Sequence, residues 1–293
     1  MISVLICSID TELLNNVRTN IAETIGVPFE ILYLDNRNEK KGICQVYNEL
    51  AERARFPYLC FLHEDVILNA NDWGKEIENI FLTDLNIGLI GIAGCKYKSA
   101  YFSGWFSNNK KLDCANYIHR YKNKDIIEKV HLSPSDNNDL QEVVCIDGVF
   151  MSCTKKAWDE TRFDSSFLKG FHFYDVDFSL RLARHYKVVV TYDIELVHIT
   201  SGGDYGNAWV EIAIVYHQKM KSSLPYSKIA VDQTHADKNV VIAMADFLKN
   251  YKITFGNKIK WIFLQKLYLS PKFYYSILKF FLFSFVRIKR TDN

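Results

Sequence analysis

Three consecutive residues, His63, Glu64 and Asp65, carry the side chains of this sequence that could best hold a divalent cation. They directly follow a short aromatic and branched apolar run that starts at Tyr58, which predicts a strand buried on both faces of a parallel sheet. In an open α/β sheet, ligands bind outside the carboxyl ends of the strands, where hard oxygen ligands suit a cation. A solvated acidic turn explains the same triplet equally well.

Two further sites carry candidate chemistry. Asp175 and Asp177 fall in the first turn of a helix that is predicted to begin at Tyr174. The helix dipole stabilises carboxylates there, so capping explains one of the two acids but does not require both. His198 ends a short apolar strand near the pair Gly202-Gly203, and the pattern fits a core histidine or a ligand about equally.

The elements that must position these residues alternate along the amino-terminal part of the chain. Strands are predicted at residues 2–9, 29–34 and from 58, and helices at 11–25 and 41–55. This order implies right-handed crossovers and a parallel sheet. The three strand ends, at Asp10, Asp35 and Asp65, are therefore expected to face one cleft.

The middle of the chain is less regular. A helix is predicted near 72–82 and a strand at 87–93, whereas 96–141 is read as a long irregular segment that contains several aromatic residues. Trp105, beside Gly104, is the first candidate for stacking on a ligand, although such rings also tie loops onto a core. The sheet resumes at 143–153, where Asp147-Gly148 interrupts it, and glycine within a strand often marks close approach of a ligand or another backbone. Further strands are predicted at 188–191 and 195–199.

Composition limits the class of protein. The chain has 293 residues, 48% of them hydrophobic, which suits one large α/β domain with an appendage or two modest domains. The net charge is +2, and residues 258–290 hold eight Lys/Arg and no acid, so the remainder carries +2 − 8 = −6. An acidic body argues against nucleic acid as a partner.

The seven cysteines and the amino terminus indicate the compartment. The cysteines are odd in number, several lie in apolar runs, and no Cys-x-x-Cys pair occurs, so we expect reduced thiols, a cytoplasmic location and no zinc site. The first residues lack a basic region and a cleavage site and are predicted to form a strand rather than a signal peptide. No Gly-x-Gly-x-x-Gly or P-loop motif follows a strand, so a nucleotide would depend on carboxylates and a metal.

Several motifs then occur in one order: Asp35-Asn36, Asn48, His63-Glu64-Asp65, Asp147-Gly148, Tyr174-Asp175 and His198. Together they resemble the GT-A-fold glycosyltransferases of the family-2 type, most closely the branch related to the streptomycin-biosynthesis StrF protein. The resemblance covers residues 2–224 and depends on the order and spacing of the motifs. His63 stands where the family has the first Asp of its Asp-x-Asp signature, and Tyr174 stands where related enzymes carry Glu.

The resemblance implies an α/β, GT-A-like fold with a mostly parallel central sheet, helices on both faces and a C-terminal helical tail. It implies a nucleotide-sugar-binding catalytic domain at 1–225, and the aromatic and basic residues beyond it predict a helical extension at 226–293. The implied activity is metal-dependent, inverting transfer of a sugar from a nucleoside-diphosphate sugar, above all a UDP-sugar. The acceptor would be a hydroxyl of a glycan or lipid-linked molecule in surface polysaccharide or glycolipid synthesis.

The resemblance also implies residue roles. Asp175 would be the catalytic base. Asp65 would be the principal ligand of Mn²⁺ or Mg²⁺ with His63 and His198, while either Glu64 or His63 would serve the ribose or the metal. Donor-binding residues would be Ser8, Asp10, Asp35, Asn48 and Glu64, and acceptor-binding residues would be Trp105, Asp147, Gly148, Tyr174 and Asp177.

Three alternatives stay open at this stage. Residues 258–290 favour an interfacial helix that brings the protein to the inner face of a membrane, or else an amphipathic helix packed on the body or on a second copy in a homo-oligomer. A non-catalytic sugar- or nucleotide-binding module could share the fold. A nucleotidyltransferase could share the sheet, but it needs a Gly-rich basic loop after the first strand, and residues 8–11 do not form one.

Overall fold

The computed structural model describes residues 1–122, 126–134, 140–200 and 206–274. The first half comprises β1 (Ile2–Ser8), α1 (Thr11–Thr24), β2 (Phe29–Asp35), α2 (Asn36–Glu39), α3 (Ile43–Arg53), β3 (Tyr58–Leu62), β4 (Val66–Leu68), α4 (Trp73–Thr83), β5 (Ile87–Gly91), β6 (Ala93–Cys95), β7 (Tyr97–Lys98), β8 (Asp113–Tyr121) and β9 (Ile127–Leu132). The second half comprises β10 (Gln141–Val143), β11 (Cys145–Ile146), β12 (Phe150–Thr154), α5 (Lys155–Thr161), α6 (Tyr174–Leu182), β13 (Lys187–Val190), β14 (Leu196–Thr200), α7 (Asn207–Lys219), β15 (Tyr226–Ser227), α8 (Gln233–Asn250) and α9 (Phe255–Leu264). Two 3₁₀ turns, Leu267–Leu269 and Pro271–Phe273, follow.

The main sheet has seven strands in the order β10-β13-β5-β12-β3-β1-β2. Strands β1, β2, β3, β5 and β13 run in one direction, while β10 and β12 run in the other. The mostly parallel sheet is therefore confirmed, with β12 inserted antiparallel between β3 and β5. This arrangement brings the ends of β1, β2 and β3 to one edge, as the strand and helix order predicts.

Helices cover both faces of this sheet because its strands are apolar on both sides. Alternate residues of β1 point to opposite faces, so that Val4 belongs to one buried cluster and Leu5 to the other. Helices α1 and α4 pack in the first cluster, and α3, α5 and α6 pack in the second. Asp10 is the N-cap of helix α1, and its side chain accepts hydrogen bonds from the backbone N–H groups of Glu12 and Leu13.

A second sheet, in the order β11-β6-β8-β14-β4 with β9 paired to β8, corrects the expectation of an irregular segment at 96–141. Strand β8 could not be predicted from the sequence, because it contains polar residues that form their hydrogen bonds inside the protein. Asp113 accepts from the backbone N–H and hydroxyl of Ser107, at 2.8 Å each, and the Asn116 amide donates to the carbonyl of Tyr192 at 2.8 Å. Buried polar side chains with partners break the apolar alternation that identifies a strand.

The described part of the C-terminal extension packs against the body. The indole of Trp261 is buried and donates to the carbonyl of Phe102 at 3.3 Å. The Tyr97 hydroxyl donates to the carboxylate of Asp237 on α8 at 2.8 Å. The start of the segment predicted to meet a membrane is therefore tied to the protein, and its remainder from 275 lies outside the described residues. None of the helices within the described ranges has the length and hydropathy needed to span a bilayer.

Candidate active site

A cavity of about 640 Å³ opens where the ends of β1 and β3 meet β14 and the start of α6. Its polar lining includes the predicted residues His63, Asp65, Asp147, Asp175 and His198. Aromatic rings form much of the remaining wall: Trp105, Phe106, Phe171, Phe173, Tyr174 and Trp209. The structure thus brings together residues that lie far apart in the sequence.

His63, Asp65 and His198 form a group whose potential ligand atoms all lie within 4.8 Å of one another. The Nδ1 atom of His63 is 3.9 Å from one carboxylate oxygen of Asp65, and the Nε2 atom of His198 is 3.4 Å from the other. Strand pairing fixes this contact, because His198 on β14 is in register with Val66 on β4. Two imidazole nitrogens and a carboxylate oxygen are a donor set that fits a divalent cation such as Mn²⁺.

The charges of this group support each other. Burial raises the pKa of Asp65, but the hydrogen bond and charge of His198 outweigh it, so that the net pKa is lowered. Burial lowers the pKa of His198, and the hydrogen bond and charge of Asp65 reverse the effect, giving a raised pKa. Burial lowers the pKa of His63 despite the opposing charge of Asp65. The pair Asp65 and His198 therefore favours its charged form, whereas His63 favours the neutral form that binds metals.

Asp175 occupies the start of α6 and is held by backbone donors. One carboxylate oxygen accepts from the N–H of Gly148 at 3.0 Å and the other from the N–H of Val176 at 2.8 Å. Burial, together with the charge of Asp147, raises the pKa of Asp175 to about 7. A carboxylate with a pKa near neutrality can exchange a proton with a substrate at working pH, which is the property of a general base.

Tyr174 lies beside this acid and connects it to His63, one of the three candidate metal ligands. Its hydroxyl is 2.7 Å from the Nε2 atom of His63 and 3.1 Å from the carbonyl oxygen of Gly148. A Cβ atom at Gly148 would stand 2.0 Å from that hydroxyl oxygen. Glycine is thus favoured here by the close approach of the Tyr174 side chain, and not by the ligand or second backbone that a glycine within a strand suggests.

Four of the predicted donor-binding residues gather at the edge formed by the ends of β1, β2 and β3. Ser8 is in register with Asp35. The Glu64 carboxylate accepts from the backbone N–H groups of Ile9 at 3.0 Å and Asp10 at 3.2 Å. Asp35 is half exposed, and its ion pair with Arg37 lowers its pKa. None of these four residues lines the cavity: the carboxylates of Asp10 and Glu64 bind backbone N–H groups, and Ile9, between Ser8 and Asp10, lines it instead.

The structure does not bring Asn48 and Asp177 into the cavity. The Asn48 amide donates to the carbonyl of Phe163 at 2.8 Å and accepts from its N–H at 3.1 Å, which ties α3 to the chain after α5. Asp177 is buried on the opposite side of α6 from the cavity wall, where it accepts from Arg181 at 2.8 Å. Asn48 therefore links two elements, and Asp177 pairs with Arg181, which in turn donates to the carbonyl of Arg162 at 2.7 Å.

Several lining residues were not identified from the sequence. Trp209 reaches the cavity from α7, and Thr200 and Phe171 border it. His119 lies behind His198, with ring centroids 5.5 Å apart, because β8 and β14 are in register there. Only Phe171 had a signal in the sequence, since it belongs to the aromatic run before α6. The positions of the others depend on pairing between distant strands and helices.

A family model described as "Glycosyltransferase like family" matches residues 3–234 of the chain. The structure of GalNAc-T7 with UDP, GalNAc and Mn²⁺ is similar at 11% sequence identity and a TM-score of 0.50, over 82% of this chain and 54% of that one. The chain thus spans about half the length of that protein. This likeness confirms the GT-A fold.

Two other similar structures have lower TM-scores. The mannosyltransferase PcManGT from Pyrobaculum calidifontis, in complex with GDP-Man and Mn²⁺, has 11% identity and a TM-score of 0.49, over 97% of this chain and 85% of that one. S. aureus TarS 1–349 has 10% identity and a TM-score of 0.47, over 89% and 77%. No curated protein sequence is similar enough to be matched to the chain.

Proposed function

The chain belongs to the glycosyltransferase-like family whose model spans residues 3–234, and we propose that it transfers a sugar from a nucleoside-diphosphate sugar to an acceptor hydroxyl. One observation carries this proposal. The cation-binding group of His63, Asp65 and His198 and the buried acid Asp175 line the same cavity. A donor diphosphate needs the first, and an attacking hydroxyl needs the second.

Asp65, with His63 and His198, would hold the cation. When bound, a divalent cation offsets the charge that develops on the leaving diphosphate. We favour Mn²⁺ over Mg²⁺ because two of the three ligand side chains are imidazoles, whereas Mg²⁺ is bound mainly by oxygen. We further infer a UDP-sugar donor, since the GalNAc-T7 structure of the same fold holds UDP and Mn²⁺.

Asp175 would act as the base of an inverting transfer. The N–H groups of Gly148 and Val176 fix its carboxylate at the cavity wall, so it needs no reorganisation to receive the acceptor proton. Its pKa of about 7 gives a substantial fraction of the charged form at neutral pH. A positioned base of this kind contributes about 10²- to 10⁴-fold in rate.

The nucleotide would lie along the strand ends. Asp35, half exposed at the end of β2, would contact the base, and Ser8 and Asp10 would border it. Because Glu64 binds the backbone N–H groups of Ile9 and Asp10, we propose that it holds the end of β1 in place beside the nucleotide. Asn48 and Asp177 we assign to the scaffold, on the strength of their hydrogen bonds.

The acceptor would meet the aromatic side of the cavity. Trp105 and its neighbours offer flat apolar surfaces that suit the face of a sugar ring, and Asp147 and Gly148 line the same cavity, with the N–H of Gly148 bound to Asp175. We therefore propose a glycan or glycolipid acceptor, in keeping with surface polysaccharide synthesis and with the StrF-like branch.

A second proposal concerns the membrane. Phe263, Leu264, Tyr268 and Leu269 are exposed apolar residues around the end of α9, and we call them the α9 patch. Lys260 and Lys266 beside it are exposed cations. Apolar rings flanked by cations favour contact with anionic lipid, and we propose a cytoplasmic location at the inner face of a membrane.

Thermal shift measurements with a panel of nucleotide sugars test the main proposal. A ligand that binds only the native state raises the melting temperature, and we expect the largest rise for a UDP-sugar with Mn²⁺. Slow Mn²⁺-dependent hydrolysis of the same donor would separate an enzyme from a non-catalytic binding module. No shift with any nucleotide sugar, with or without Mn²⁺, would contradict the proposal.

A further inference from the structure

The hydroxyl of Tyr174 lies between two polar groups from distant parts of the chain. The Nε2 atom of His63 is 2.7 Å away, and the carbonyl oxygen of Gly148 is 3.1 Å away. The tyrosine is buried, with an exposed fraction of 3%. Both contacts must therefore be satisfied within the protein.

The two contacts determine where the protons lie. A tyrosine hydroxyl has one proton to donate, and a carbonyl oxygen can only accept. The hydroxyl therefore donates to Gly148 and accepts from His63, whose Nε2 must carry a proton. The opposite assignment would leave the Gly148 carbonyl facing a hydroxyl lone pair at 3.1 Å.

With its proton on Nε2, the neutral imidazole of His63 has a bare lone pair on Nδ1. That nitrogen faces a carboxylate oxygen of Asp65 at 3.9 Å, so two acceptors face each other with no proton between them. Such a pair suits a cation, and a hydrogen bond to the far nitrogen is the usual way in which a protein orients a histidine ligand.

We propose that Tyr174 is a positioning residue that fixes His63 as its Nε2–H tautomer and so presents Nδ1 to the divalent cation. The inference rests on the proposed cation site. It changes the role of Tyr174 from binding the acceptor to orienting a ligand. His63 and Tyr174 are the two positions at which the sequence departs from the family pattern, and they bind each other.

Gly148 contributes to the same arrangement of Tyr174 and His63. Its missing side chain leaves room for the Tyr174 hydroxyl, which a Cβ would approach to 2.0 Å. Its carbonyl oxygen accepts a hydrogen bond from the Tyr174 hydroxyl, and its N–H donates to the carboxylate of Asp175. Gly148→Ala should therefore displace the Tyr174 hydroxyl. The proton of His63 would then no longer be fixed on Nε2, although no ligand atom is removed.

The experiment compares Tyr174→Phe with a matched control, Tyr47→Phe, in the full chain. Among the described residues, the buried hydroxyl of Tyr47 has no hydrogen-bond partner, and its ring lies 5.8 Å from that of Tyr174. Both variants remove one buried hydroxyl from the same aromatic cluster. Only Tyr174→Phe removes the acceptor that faces His63.

Two readouts are needed, and neither is activity. In metal-free protein labelled with ¹⁵N-histidine, NMR should show His63 with the proton on Nε2. Calorimetry with Mn²⁺ alone should show binding about 10- to 100-fold weaker in Tyr174→Phe, the usual effect of losing a group that orients a ligand, and unchanged binding in Tyr47→Phe. Gly148→Ala should weaken Mn²⁺ binding in the same direction.

A proton on Nδ1 in the unmodified protein would overturn this inference even if Tyr174→Phe did not fold. Mn²⁺ binding to Tyr174→Phe within about twofold of the unmodified protein would also overturn it, while leaving the cation site intact. Failure of the unmodified protein to bind Mn²⁺ would instead remove the cation site and this inference with it.

Discussion

The Nε2 atom of His198 lies 3.4 Å from a carboxylate oxygen of Asp65. His198 lies within β14 and Asp65 directly precedes β4, so the pairing of these two strands sets the distance between them. Burial opposes charge on both side chains, yet their mutual attraction lowers the pKa of the acid and raises that of the histidine. A cation would replace this attraction with two ligand bonds.

Asp175→Asn should lower kcat about 10²- to 10⁴-fold and leave the affinity for the donor unchanged, because the amide cannot accept the acceptor proton. In the unmodified enzyme, kcat/KM should rise as the pH passes through about 7, where Asp175 loses its proton. Steady-state kinetics across pH measure both effects. Asp159→Asn, an exposed residue paired with Arg162, is the control. Full activity of Asp175→Asn would refute the assignment.

The same substitution should change stability with pH. Burial raises the pKa of Asp175 in the folded protein to about 7, above the value of about 3.9 in an unfolded chain. The folded state therefore holds this proton more tightly, so stability from this group is greatest at low pH and is lost as the pH rises to about 7. Asn cannot ionise, so the melting temperature of Asp175→Asn relative to the unmodified protein should increase from pH 5 to pH 8.5. An unchanged difference would show that folding does not raise the pKa of Asp175.

Asn48→Ala should destabilise the protein by about 1–3 kcal/mol, because it leaves two backbone groups of Phe163 without partners. Denaturant unfolding measures this change. Gln45→Ala, exposed on the same helix, should have little effect. Donor affinity of the folded Asn48→Ala protein should match that of the unmodified protein, and a large loss of affinity would restore Asn48 to the donor site.

The α9 patch should be required for binding to anionic vesicles. Phe263→Glu combined with Leu269→Glu places negative charge on two exposed positions, so co-sedimentation with phosphatidylserine vesicles should fall sharply. Leu85→Glu changes a still more exposed leucine outside the patch and is the control. Sedimentation of the double variant at the unmodified level would contradict the membrane proposal. Loss of self-association instead would assign the patch to a second copy of the chain.

The sequence predicts the part of the fold that local patterns determine. Strands β1, β2 and β3 are mostly apolar runs, and the helices between them have clear apolar spacing, so the convergence of their ends follows from handedness. Strand β8 could not be predicted, because Asp113 and Asn116 are buried through hydrogen bonds that only the folded chain provides.

The site shows the same division. His63, Asp65 and Asp175 follow from motifs at the ends of elements. The placement of Asn48 in the scaffold does not, because it is defined by a distant partner, Phe163, that no spacing rule identifies. The pair of Asp177 with Arg181 follows the i, i+4 spacing of a helix, but the burial of Asp177 away from the cavity depends on the fold. Trp209 reaches the cavity only through the packing of α7, which no local pattern specifies.

The affinity for UDP with and without Mn²⁺, measured by calorimetry on the unmodified protein and on Asp65→Ala, tests the central claim most directly. The account predicts that UDP binding depends on Mn²⁺. Loss of a group that only orients a ligand weakens metal binding about 10- to 100-fold, and Asp65→Ala should weaken UDP binding by more than that, because it removes a ligand itself. Asp159→Ala should bind as the unmodified protein does. Unchanged affinity of Asp65→Ala for UDP in the presence of Mn²⁺ would contradict the account.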